Sequence, residues 1–388
     1  MLRTDSRPEP PSSPRRVLFF TTTLGGGGAE SHALRVMNHL DRSRWLPTLA
    51  VAKAGGSYEA FLREDVRRVA VSWDRVPSST GRIALSLVGL RRVIDEEQPH
   101  LVCSVMDPPS LVAAATLTTI RRRPRHIVCV QVPPLMDAPR SRFGRYVVLP
   151  GIKRLYPRAD RIIALSHGVR DELTQIDQRL GESTVVIHNA CVDERLQEFS
   201  PRDEDGVPRT TRPVIIAAGR LQPEKAFEDL IDAFAILRRR SDAELWILGE
   251  GPARASLEER ARASGVGGWV KLLGFQKNPH AFMRRATVFA LSSLYEGFGN
   301  VIVESLACGT PVVATDCPYG PKEILGNEIG GLLVPVRDPA AMANALERVL
   351  TDGALRERLR SSGLRRSEAF RASAIAAAYA AEFDRVCG

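Results

Sequence analysis

The sequence predicts an α/β protein built from two doubly wound halves, and three observations carry that prediction. At 388 residues the chain has the length of two ordinary domains, each able to bury its own core. Near-continuous apolar strands of parallel-sheet character alternate with amphipathic runs, and each half opens with a strand, a glycine-bearing loop and a helix. Between the halves, residues 198–212 have the polar composition of a linker, with proline and glycine.

Composition narrows the class. An apolar fraction of 44% and a charged fraction of 26% are those of a soluble globular protein, and no apolar run is long enough to span a bilayer. Residues 1–15 are polar and proline-rich without an apolar core, which reads as a frayed, disordered tail and not a secretory signal. The six cysteines show no CxxC and no metal spacing, so reduced thiols in a cytoplasmic protein are expected. The net charge of +9 suits attraction to a nucleotide or to anionic lipid. Basic residues are not interleaved with aromatics in any nucleic-acid module, so no nucleic-acid partner is expected.

Taken in order, residues 16–22 form the first strand, which runs into Gly25-Gly26-Gly27-Gly28 and then an amphipathic helix over 31–40. Backbone N–H groups and a positive helix end therefore point at a ligand beside Gly26, Gly27 and Gly28. The spacing does not fit GxGxxG followed by an acid, which argues against a dinucleotide. Residues 47–52 read as the second strand, 58–66 and 83–97 as helices, and 101–105 and 126–132 as buried strands. Ligands gather at the carboxyl ends of strands in open parallel sheets, which makes Asp107 and Gln131 site candidates. Residues 140–161 mix Arg, Lys and aromatics with aliphatics. They read either as an interfacial face for an anionic membrane or as packed helices with a solvated basic side. Strands over 161–165 and 184–188 complete this half.

The second half begins with a strand over 213–218, then Gly219-Arg220-Leu221-Gln222-Pro223-Glu224-Lys225, then a helix over 226–239. Arg220 and Lys225 sit where two cations can grip a diphosphate. Cations at a helix start oppose its dipole, so another partner is expected for them. Strands over 244–248 and 270–273 follow, the second leading to Gly274-Phe275. A strand over 287–291 precedes the turn at Gly297 and Gly299, with Asn300 expected as N-cap of a helix over 301–308. Glu296 precedes that helix and Glu304 lies inside it. Two acids beside a phosphate cradle are best placed as acceptors for neutral hydroxyls on either side of a diphosphate. A last strand over 330–334 and helices over 339–360 and 365–386 finish the chain. Asp203-Glu204-Asp205 spells an Asp-x-Asp metal motif, but no strand precedes it and it reads as solvated linker charge.

Residues 292–314, with Gly219-Arg220-Leu221 and Glu224-Lys225 ahead of them, resemble the Glu-x7-Glu region of retaining glycosyltransferases of family 4. The resemblance covers nearly the whole chain, most strongly over 213–334. It implies the GT-B fold: two Rossmann-like domains facing each other across a cleft. The acceptor-side domain would span 16–198, the linker 199–212 and the nucleotide-sugar domain 213–369, with a final helix over 370–388 crossing back. It implies donor contacts from Gly26, Gly27, Gly28, Gly219, Gly274, Phe275, Gly297, Phe298, Gly299, Asn300 and Val301. Glu304 would hold the ribose and Glu296 the sugar hydroxyls, and Arg220, Lys225 and Glu296 would form the catalytic set. Asp107 and Gln131 fall on the acceptor side, where many family members carry a His or a charged pair that this chain lacks. The implied reaction is metal-independent and needs no cofactor. A sugar moves from a nucleotide donor, UDP-hexose or UDP-N-acetylhexosamine ahead of GDP-mannose, to a glycan, lipid-linked or small-molecule hydroxyl. The setting would be the cytoplasm or the inner face of the plasma membrane. An epimerase or hydrolase on the same scaffold, or an idle nucleotide-sugar-binding module, are the rival readings.

Overall fold

The computed structural model describes residues 13–25, 27–71, 79–194, 196, 206–326 and 329–388, with backbone alone over 79–85. Gly26, the first twelve residues, Asp203-Glu204-Asp205 and part of the expected linker lie outside the described residues. The chain divides into two units.

The first unit takes in Met1–Leu165, Val169–Ala190 and Ala372–Gly388. Its strands are β1 (Arg15–Thr21), β2 (Trp45–Val51), β3 (Arg67–Ala70), β4 (Leu101–Val105), β5 (Arg125–Val130), β6 (Arg161–Ala164) and β7 (Thr184–Val186). They form one parallel sheet in the order β3-β2-β1-β4-β5-β6-β7. Alternate residues feed a core on each face, Val17, Phe19 and Cys103 on one and Leu18, Phe20 and Val102 on the other. That two-sided burial is why these strands read as unbroken apolar runs.

The second unit takes in Ser166–Gly168 and Cys191–Arg371. Its strands are β8 (Val214–Ala218), β9 (Glu244–Leu248), β10 (Val270–Gly274), β11 (Val288–Leu291), β12 (Val312–Thr315) and β13 (Gly331–Val334). All are parallel, in the order β10-β9-β8-β11-β12-β13. Each sheet winds outward from one central strand and then resumes beside it in the other direction. The reversal falls between β1 and β4 in the first unit and between β8 and β11 in the second. Crossovers leave such a point on opposite faces, opening a crevice at the carboxyl edge.

The helix Ala372–Cys387 belongs to the first unit, where Tyr379 and Phe383 pack with Phe19 and Trp45 beside the helix Gly28–His39. His32 ties the two helices together. Its Nδ1 accepts from Ala190 N–H at 2.9 Å, so Nε2 carries the proton and donates to Tyr379 Oη at 2.8 Å. Burial, then the nearby Arg35 charge, lowers its pKa to about 3, and the ring stays neutral.

Several expectations need correction. The helix expected over 58–66 is a single 3-10 turn, Glu59–Phe61, followed by the edge strand β3. The Asn38 amide donates to Phe61 O at 2.9 Å and its oxygen accepts from Arg63 N–H at 3.1 Å. Tertiary bonds thus satisfy backbone groups that a helix would have paired internally. Asn300 is the first helical residue of Asn300–Ala307 and not its cap. Gly299, at φ +94°, reverses the chain one residue earlier. The two final helices are three, Pro339–Thr351, Gly353–Ser367 and Ala372–Cys387. Asp352 interrupts the first pair and caps the second helix through Leu355 N–H at 2.9 Å. The next break comes where Arg371 turns extended after Phe370 O, which accepts from the N–H groups of Cys191 and Val192.

Candidate active site

In the second unit, the loops after β8 and β11 meet at the topological reversal. The chain leaves β8 through Gly219 and Arg220, makes a 3-10 turn Pro223–Lys225, and enters the helix Phe227–Arg238. Leu294 N–H donates to Glu224 O at 2.8 Å and Ser292 Oγ donates to Lys225 O at 2.8 Å, binding this loop to the one after β11. Lys225 Nζ then donates to Glu296 Oε1 at 2.6 Å. Ser293 Oγ donates to the same oxygen at 2.7 Å, while Thr315 Oγ1, at the end of β12, donates to Ser293 O at 2.6 Å. Residues 71 apart in sequence are thereby held in one orientation. The lysine and glutamate side chains keep 22% and 10% of their exposure, so the pair is reachable by a ligand.

Arg220 is exposed and has no acidic partner among the described residues. Glu296 N–H donates to Pro318 O at 3.2 Å. The chain then turns through Gly297 and Phe298 to the αL residue Gly299 and starts the helix Asn300–Ala307. Phe298 buries its ring against Phe370, centroids 5.6 Å apart, so the ring itself is not presented to a ligand. Asn300 and Val301 occupy the first turn, at the positive end of the helix dipole, which favours an anion. Glu304 lies one turn further, with His280 Nε2 3.6 Å from its Oε2. That is ion-pair range for an imidazolium but too long for a hydrogen bond. Gly274 ends β10, and Phe275 beyond it stands 72% exposed.

In the first unit, Gly27 caps the helix Gly28–His39 after β1, and Glu30 sits in the first helical turn, where its charge suits the dipole. Across the reversal, β4 runs into Met106 at φ +74° and ψ 156°, a region that side chains rarely occupy, and then into the helix Asp107–Thr118. Such strain persists where surrounding structure enforces it and collects at functional sites. Asp107 is buried and accepts from Tyr156 Oη at 2.6 Å. Burial, with Asp137 and Glu172 nearby, outweighs that bond and raises its carboxyl to about 6. Gln131, just past β5, is 5% exposed, and neither its amide oxygen nor its amide nitrogen has a hydrogen-bond partner among the described residues.

Residues 201–366 match the family described as Glycosyl transferases group 1, and residues 26–195 match Glycosyltransferase Family 4. The chain belongs to glycosyltransferase family 4. Among curated members, a Campylobacter jejuni N-acetylgalactosamine-N,N'-diacetylbacillosaminyl-diphospho-undecaprenol 4-alpha-N-acetylgalactosaminyltransferase is 34% identical over 224 residues, 56% of this chain and 58% of that protein. The Rhizobium meliloti lipopolysaccharide core biosynthesis glycosyltransferase LpsE is 39% identical over 151 residues, 39% of this chain and 43% of that protein. The chain spans about half the length of the curated relatives it matches. The crystal structure of Anabaena HepE in complex with UDP and glucose superposes with TM-score 0.81 at 22% identity, covering 96% of this chain and 100% of that one. WaaG, a glycosyltransferase involved in lipopolysaccharide biosynthesis, superposes with TM-score 0.71 at 16% identity, covering 94% and 98%. The fold is therefore the two-domain α/β GT-B fold of family 4.

Sequence reasoning missed four residues of this family 4 site: Ser292, Ser293, Thr315 and His280. The first two lie inside the motif stretch, but a serine after a strand reads as a generic turn former. Ser292 and Thr315 bond to loops that the sequence does not place beside them, and Ser293 bonds to Glu296 three residues on.

Proposed function

We propose that the chain transfers a sugar from a UDP-linked donor to an acceptor hydroxyl, with retention at the anomeric carbon and without a divalent metal. The observation that carries this reading is the Lys225–Glu296 pair, oriented by Ser293 at the β8/β11 reversal beside the helix start at Gly299. As the bond from anomeric carbon to diphosphate oxygen breaks, negative charge builds on the leaving group. Arg220, Lys225 and the N–H groups of Asn300 and Val301 stabilise that charge, work that Mg²⁺ does in other transferases. Glu296 accepts from donor sugar hydroxyls and Glu304 from the ribose. The acceptor oxygen forms the new bond on the face the diphosphate leaves, and its proton goes to the departing phosphate oxygen.

On the acceptor side, Asp107 and the unsatisfied Gln131 amide bind hydroxyls. Each unpaired amide group costs about 1–3 kcal/mol, which a ligand hydroxyl recovers. A lipid-linked acceptor agrees with the undecaprenol diphosphate named for the Campylobacter relative, and UDP with the ligand of the Anabaena protein. No helix among the described residues is long and apolar enough to cross a membrane. The segment after β5 instead exposes Phe143, Tyr146 and Val147 at 43%, 70% and 48%, interleaved with Arg142 and Arg145. That mixture suits peripheral docking on anionic lipid, whereas a face packed inside its own unit would bury those rings. The test is turnover of UDP-sugars with a polyprenyl-diphosphate-linked acceptor, with product configuration read by NMR. A retained product formed equally well in EDTA is expected. An inverted product, or activity abolished by EDTA and restored by Mg²⁺, overturns the reading, and UDP release that ignores the acceptor favours a hydrolase.

A further inference from the structure

We infer that the first unit carries a second ligand site, a cationic cavity that takes a phosphate or pyrophosphate group. The cavity has a volume of about 430 Å³, within the range of small-molecule sites. Arg15 at the start of β1, His100 just before β4, and Arg122, Arg123 and Arg125 around the start of β5 line it, above Ile94. Because β1, β4 and β5 are neighbours in the sheet, segments far apart in sequence converge there. The strands are parallel and these residues stand at their amino ends. Gly27, Asp107 and Gln131 stand at the carboxyl ends, so the cavity is separate from the candidate active site.

Its charge is unbalanced toward cations. Asp160 is shared by Arg123 at 3.2 Å and Arg125 at 3.0 Å, so two guanidinium groups divide one carboxylate. Asp95, on the lining, is held by Arg91 at 3.0 Å. Arg122 is exposed and has no acidic partner among the described residues. His100 Nδ1 accepts from Arg16 N–H at 3.1 Å, which leaves Nε2 as the protonated nitrogen, a donor only. Partial burial and the charges of Arg16 and Arg15 lower its pKa and keep it in that neutral form. Guanidinium forks with an added N–H donor are the groups that recognise phosphate oxygens, and a neutral sugar would leave them unpaired. A free phosphate compound and a phospholipid headgroup present the same chemistry.

The experiment is thermal unfolding of the full chain with inorganic pyrophosphate as probe, since a ligand of the native state raises the midpoint. Arg122→Glu is the informative variant because its side chain is exposed and supports no ion pair in the fold. Lys225→Ala reports on the other site. Pyrophosphate is expected to stabilise the unaltered chain and Lys225→Ala alike, with affinity about tenfold weaker in Arg122→Glu, the loss of one charge-assisted contact. No stabilisation of the unaltered chain, or a response kept in Arg122→Glu and lost in Lys225→Ala, overturns the site. Flotation with vesicles of phosphatidylcholine and phosphatidic acid separates the sources. Capture that depends on Arg122 assigns a lipid headgroup, and pyrophosphate stabilisation without capture assigns a soluble ligand.

Discussion

Lys225 is a part-exposed cation whose carboxylate partner also accepts from a serine. A pair only 22% and 10% exposed is largely shielded from water, and its fixed geometry aims the ammonium. Lys225→Ala is accordingly expected to reduce sugar transfer by about 10²–10³-fold, with a lower thermal midpoint from the carboxylate left without its cation but a chain that still folds. Unchanged turnover would remove this lysine from the chemistry. Asp107 makes a prediction of another kind. Its carboxyl is raised from 3.8 to about 6, so between those values the folded chain holds a proton that the unfolded chain has lost. The contribution of this carboxyl to stability therefore falls as pH rises through that window, by at most about 1.4 kcal/mol per pH unit, against the rise that the buried histidines impose. In Asp107→Asn, urea midpoints measured across the window should rise with pH more steeply than those of the parent. A parent-like slope would mean that the carboxyl is already ionised in the fold.

At the scale of elements, two short turns do most of the positioning. Gly299 starts the helix Asn300–Ala307, and Gly320, at φ +87°, starts the helix Pro321–Leu325. A Cβ on Gly320 would come within 1.8 Å of Phe298 O, in the turn between Glu296 and Gly299. Gly320→Ala should therefore cost at least about 2 kcal/mol of stability and also weaken UDP binding, because the displaced carbonyl belongs to the loop proposed to hold the donor. Calorimetry of unfolding and of UDP titration checks both halves. The segment after β5 bears on docking. Replacing Phe143, Tyr146 and Val147 together by serine should lower flotation with phosphatidylglycerol vesicles several-fold and leave the melting temperature unchanged. Tyr146 is already largely exposed in the fold, and Phe143 and Val147 are about half exposed. Equal flotation of variant and parent would place membrane contact elsewhere or nowhere.

Across the whole molecule, buried histidines set the response to acid. His32 and His126 are both lowered from 6.5 to about 3, first by burial and then by Arg35 and Arg123 respectively. In that window the unfolded chain binds the extra protons, so stability drops as pH falls from 6.5 toward 3. The slope is up to about 1.4 kcal/mol per unit for each ring, opposite in sign to that of Asp107. Two against one, the net effect is acid lability. His126→Gln should make unfolding midpoints less steep below pH 6.5. His32 has a wider role, because it links the glycine-loop helix, Ala190 and the last helix through Tyr379. Acid is thus expected to loosen the attachment of Ala372–Cys387, and amide exchange in that helix should rise before exchange in β4 and β5.

The sequence by itself determined the alternation of buried strands and amphipathic helices, the loops at Gly219 and Gly297 to Gly299, and the residue types Arg220, Lys225, Glu296 and Glu304. All of these are local: a period of two or 3.6, a glycine where the chain turns, a charge beside it. Only the tertiary structure decided which loops become neighbours, because strand order sets β8 beside β11 and β1 beside β4 across long stretches of chain. That adjacency is what brings Lys225 onto Glu296 and makes His32 a clasp for the last helix, and what gathers Arg15, His100 and the arginines of the β5 start around one cavity. It also overrode local preference over residues 58–66, where the Asn38 side chain took the backbone bonds a helix would have made.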